Sequence, residues 1–151
     1  MAIVTMKELL DRAAEFEQKL ERSYAEIRDN TTHDGVRLLT YYLARHRRHL
    51  DQALKQLDAQ AVGRVKKVQV KYDIDFHPEQ DFRSIATPVS EISAEELLGS
   101  AVGYDEQLIR LYRSILEQPI GEDATVLVEA LIRLEEKDIV MLKKMLAMNY
   151  F

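Results

Sequence analysis

Apolar residues recur at spacings of three and four through most of this chain and switch to a spacing of two in one place. The stretch that organises the chain is Leu38–Leu57, with no Gly or Pro inside it. Leu39, Tyr42, Leu43, Leu50, Ala53 and Leu57 share a face there, which predicts one helix of more than five turns. His46 and His49 interrupt that face, one turn apart and pointing the same way.

Three more helices follow from the same periodicity. The first spans about Met6–Arg28, with the capping-box pattern Thr5-x-x-Glu8 ahead of it. Its stripe reads Met6, Leu10, Ala13, Glu17, Leu20, Tyr24, Ile27, and Glu17 stands where an apolar residue belongs. The helix ends at Asp29-Asn30, and the second begins near Thr31 or Thr32 and fades at Gly63. The third spans about Ala94–Glu117 behind Ser93-x-x-Glu96, with Asp105 inside the stripe Leu97 or Leu98, Ala101, Leu108, Tyr112, Ile115. After the turn Gln118-Pro119-Ile120-Gly121, the fourth spans about Asp123–Met148. Glu135 and Asp138 interrupt its stripe of Leu127, Leu131, Leu142 and Met145.

Between the second and third helices, about residues 63–92, the period breaks. Val65–Phe76 alternates, with Val68, Val70, Tyr72, Ile74 and Phe76 on one side, which is a strand pattern. No second alternating run exists to pair with it, so it is expected to lie extended on the helices or to pair with its copy in a homodimer. A crossover of this length suffices to travel the length of a helical pair and restart at the other end.

The two halves of the chain repeat. Glu17 and Tyr24 are seven residues apart, as are Asp105 and Tyr112; His46-x-x-His49 in the second helix corresponds to Glu135-x-x-Asp138 in the fourth. The offsets between the halves are 88 and 89 residues. With these positions the chain resembles the ferritin-like superfamily, and most closely its rubrerythrin-type branch. The resemblance implies an all-α fold: one four-helix bundle over residues 1–151, built from two helix hairpins joined by a long crossover. It also implies a metal site drawn from Glu17, His46, His49, Asp105, Glu135 and Asp138, with Tyr24 and Tyr112 as hydroxyl donors to the carboxylates. The match departs from the family where His46 replaces a Glu and Asp138 replaces a His, so neither E-x-x-H pair is intact.

Composition narrows the chemistry. The chain has 151 residues, enough for one domain with a full core, and no cysteine, which removes disulfides, thiolate ligands and thiol nucleophiles. A net charge of -5 argues against a general nucleic-acid binder. No apolar run approaches the roughly 18 residues of a membrane span, and MAIVTMKELL lacks the pattern of an export signal, so a cytoplasmic location is expected. Imidazole and carboxylate donors suit iron, manganese or zinc, as a dinuclear or a single site. Two function classes stay open. One is a metal-binding oxidoreductase or iron-handling protein with an altered dinuclear site. The other is a non-enzymatic interaction or assembly bundle that has lost the metal. No catalytic residue and no protein partner is assigned. Arg45, Arg47 and Arg48 flank the histidines, and a solvated helix face is their simplest reading.

Overall fold

Local capping chemistry starts the helices close to where the periodicity places them. Helix α1 (Met6–Asn30) begins at Thr5, whose side chain accepts from the Glu8 amide at 3.2 Å. One face of α1 buries Met6, Leu9, Leu10, Ala13, Phe16, Leu20, Tyr24 and Ile27. The computed structural model describes residues 4–46, 48–70 and 74–148, with His46 by its backbone alone. Thr31 closes α1, and its hydroxyl accepts from the His33 amide at 3.2 Å. This Thr therefore orders the turn, and α2 (Asp34–His46) starts later than the expected Thr31 or Thr32.

The predicted single helix over Leu38–Leu57 is two helices. Arg48 leaves the helical region at φ -92 and ψ 54, and α3 (His49–Lys55) starts after it. In an unbroken helix the Leu50 amide would donate to the carbonyl of residue 46. Here it donates to Glu17 Oε1 at 3.1 Å, so a carboxylate from α1 stands in for the missing backbone acceptor. The break is invisible to periodicity because the apolar spacing runs evenly across it.

The crossover also differs from expectation. Gly63 lies inside a helix, α4 (Ala59–Lys67), because Asp58 caps a new start by accepting from the Ala61 amide at 2.7 Å. Ala61 and Val65, one turn apart, are its buried residues, so Val65 belongs to a helix and not to a strand. Strand β1 (Val4–Thr5) and strand β2 (Gln69–Val70) pair antiparallel, Val4 opposite Val70 and Thr5 opposite Gln69. The extended stretch thus has a partner within its own chain, two residues too short to show an alternating pattern. Residues 71–73, which include Tyr72 of that predicted strand, lie outside the described residues. Beyond them Ile74–His77 is irregular and leads into the short α5 (Pro78–Asp81). Two α1 cations hold this segment: Arg12 Nη1 donates to the Phe76 carbonyl at 3.1 Å and Lys19 Nζ to the Glu79 carbonyl at 2.6 Å.

A 3₁₀ turn at Val89–Glu91 precedes α6 (Ala94–Leu116), where Ser93 and Glu96 form both halves of a capping box. Gly121, at φ +83, turns the chain into α7 (Glu122–Met148) in a conformation that suits glycine. The fold is all-α apart from the two-residue strand pair. Helix α6 packs along α7, α1 along α2, and α3 reaches across to α7. Their buried apolar residues form one continuous core. No helix among the described residues is long and apolar enough to cross a membrane.

The Ser93 box predicts that Ser93→Ala costs about 1 kcal/mol of stability, read as a lower urea midpoint with an unchanged slope. An unchanged midpoint would mean the box does not hold the start of α6.

Candidate metal centre

Three of the residues that interrupt the apolar stripes meet in the interior. His49 opens α3, Asp105 lies midway along α6 and Glu135 midway along α7. One ligand atom from each lies within 4.8 Å of the others. His49 Nδ1 is 2.9 Å from Glu135 Oε1. Exposure is 4% for His49, 0% for Asp105 and 1% for Glu135, so water does little to screen these charges. Each sits in register with core residues: Ala101 and Leu108 flank Asp105, and Leu131 and Leu142 flank Glu135.

The other expected ligands are placed differently. Glu17 is half-buried, and one of its carboxylate oxygens accepts from the Leu50 amide. Asp138 is half-buried and lines a cavity of about 150 Å³ together with Tyr42, His49, Gln52 and Lys137. The side chain of His46 lies outside the described residues. Tyr24 and Tyr112 are both buried, at 2% exposure each, and the Tyr112 ring lies 5.5 Å from that of Phe76. Periodicity did not single out Glu79, which is buried at the foot of the crossover with Oε1 3.6 Å from His77 Nδ1. Its signal is short, a His-Pro-Glu run at the start of a four-residue helix.

Charge counting constrains what the centre can hold. Taken by themselves, two ionised carboxylates and a protonated imidazole sum to one negative charge, and buried charge is tolerated only where it is matched. A divalent cation beside a neutral imidazole and two carboxylates brings the count to zero. Geometry agrees. Adjacent ligand atoms on one ion, bonded at about 2.1 Å, lie roughly 3–3.5 Å apart, within side-chain adjustment of the separations here. Three donors are a one-ion set. Two ions about 3.5–4 Å apart need more ligands than converge among the described residues. Asp138 lines the same cavity as His49, at the approach to these three donors.

Tyr42 reports on that cavity. Its phenol is held above the ordinary value of 10.0, first by burial and then by the negative charge of Asp138. No family model matches the chain, and neither a curated protein nor a solved structure matches it.

A phenol with a raised pKa contributes stability that is complete below its unfolded value, near 10, and lost as pH rises through the folded value. Tyr42 is therefore expected to ionise above the bulk tyrosine range in an ultraviolet titration of chelator-treated protein compared with Tyr42→Phe. Asp138→Asn should lower it only part of the way, because burial is the larger cause. A full return to the ordinary value in Asp138→Asn would reverse that order.

Proposed function

We propose that this chain is a ferritin-like helical protein that binds one divalent transition metal through His49, Asp105 and Glu135. The carrying observation is the convergence of one imidazole and two carboxylates, all nearly inaccessible to water. The ferritin-like reading is supported by α1 packing on α2 and α6 on α7, with a long segment of short elements between them. It is supported too by the source of the donors, since three separate helices supply them at stripe positions.

Three protein ligands leave coordination positions free, as catalytic sites do and purely structural zinc sites do not. The cavity beside His49, at about 150 Å³, admits only a few molecules the size of water. The substrate class that fits is a small molecule such as dioxygen, peroxide or water itself. Bound iron or manganese would supply Lewis acidity and one-electron redox chemistry there. Within the chain, Asp105 and Glu135 would hold the ion, His49 would complete the set, and Tyr42 with Asp138 would set the polarity of the approach.

A second reading is favoured by the 2.9 Å contact between His49 and Glu135. An imidazole and a carboxylate already paired can hold the helices together without a metal. In that case the protein is a non-enzymatic bundle.

Metal analysis by mass spectrometry, after anaerobic loading with Fe(II), Mn(II) or Zn(II) and gel filtration, separates the readings. Near-stoichiometric metal is expected in the parent protein and in Arg110→Ala, a substitution on the exposed side of α6. His49→Ala and Asp105→Asn should lower affinity by roughly tenfold or more while remaining helical by circular dichroism. Absence of metal in the folded parent protein would reject the metal reading and favour the second.

A further inference from the structure

A groove beside the break between α2 and α3 is lined by positively charged side chains. It encloses about 430 Å³ and is lined by Arg28, Tyr41, Ala44, Arg45 and Arg48. Every ionisable side chain in that lining other than the Tyr41 phenol is an arginine, in a chain whose net charge is -5. Long-range attraction from the whole protein does not explain such a concentration.

One of the three guanidiniums, that of Arg28, is held in place. Arg28 donates from Nε to Thr40 Oγ1 at 3.2 Å and from Nη2 to the Thr40 carbonyl at 3.4 Å. Thr40 is wholly buried, so the anchor is rigid. The same guanidinium lies 4.0 Å from the centre of the Tyr41 ring, a cation–π contact. Arg48 is tied through Nε to Glu21 Oε1 at 3.3 Å. Among the described residues these contacts engage Nε of both residues and leave Nη1 of Arg28 and both terminal nitrogens of Arg48 for another acceptor. Arg45, exposed between them on the last turn of α2, completes the set. Tyr41 is 54% exposed, a large aromatic surface beside three cations.

Planar, forked donors are suited to phosphate, whose oxygens accept from two nitrogens of one arginine at once. Preorganisation of Arg28 by Thr40 and Tyr41 lowers the entropy that binding must overcome. We propose that this groove binds a phosphate group, presented by inorganic phosphate or pyrophosphate or by a nucleoside diphosphate whose base lies on Tyr41. The site is independent of the metal centre, which it does not share a residue with.

Isothermal titration of the full-length protein with phosphate, pyrophosphate and ADP, at low and at physiological salt, tests it. Binding of at least one of these is expected, weakened roughly tenfold or more in Arg45→Gln, which changes an exposed side chain and spares the fold. Arg110→Gln, which removes the same charge from α6, is expected to bind as the parent does. If ADP binds more tightly than pyrophosphate and Tyr41→Ala removes the difference, the source is a nucleotide; equal affinities assign the site to the phosphate group alone. No heat and no thermal shift with any of the three, or equal losses in Arg45→Gln and Arg110→Gln, would overturn the proposal.

Discussion

Two carboxylates and an imidazole, held within 4.8 Å of one another away from water, constrain the rest of this molecule. Charges in such a place are tolerated only with partners and fixed geometry. Helices α3, α6 and α7 must each present one polar side chain to the same point. This fixes the relative height and rotation of three elements from separate parts of the chain. Apolar packing alone would accept a helix slid by one turn, because leucine replaces leucine in the stripe. Asp105 beside Ala101 and Leu108 does not allow that slide. The polar centre therefore acts on register, while the surrounding core supplies the free energy.

The break between α2 and α3 follows from the same constraint. A helix that restarts at Arg48 leaves its first amides without acceptors, and one of them is met by Glu17 from α1. A carboxylate also suits the positive end of a helix. Glu17 and His49 thus look like members of one stripe set, yet the described geometry gives them separate work. His49 meets the acids of α6 and α7, and Glu17 supports the backbone that carries His49. The break also brings Arg48 to Glu21 on the α1 side, and Arg48 lines the arginine groove there.

Much of this was legible from periodicity, and the reason is physical. A polar residue at an apolar stripe position is buried by the helix whether or not burial suits it. Asp105 and Glu135 were visible for that reason, as was His49. Asp138 lies at the edge of its stripe and emerges at the cavity, half-buried. The helix break was not legible, because the spacing from Leu39 and Leu43 to Leu50 and Ala53 is continuous, and only a tertiary contact to Glu17 marks it. Helix α4 was hidden because Val65 in its last turn and Val68, the residue that ends it, fall in the stretch whose alternation reads as a strand. The β1–β2 pair was hidden because two residues carry no period, and its register depends on where α1 and α4 bring the chain.

The hydrophobic core bears on how the centre can be used. It runs continuously from Met6 to Leu142 and includes residues of α1, α2, α6 and α7. A small metal-dependent domain has no such core, and its folding free energy is largely its metal-binding free energy. Here the helices are held by apolar burial on both sides of the polar centre, and His49 already contacts Glu135. A bound ion would then replace an existing pair instead of creating order, so affinity is the net of two competing arrangements of the same side chains. Such a centre is free to leave ligand positions open toward a cavity, because the fold does not need them closed. That freedom separates a site suited to chemistry from one suited only to cross-linking helices, and it arises from the depth of the core in which His49, Asp105 and Glu135 are set.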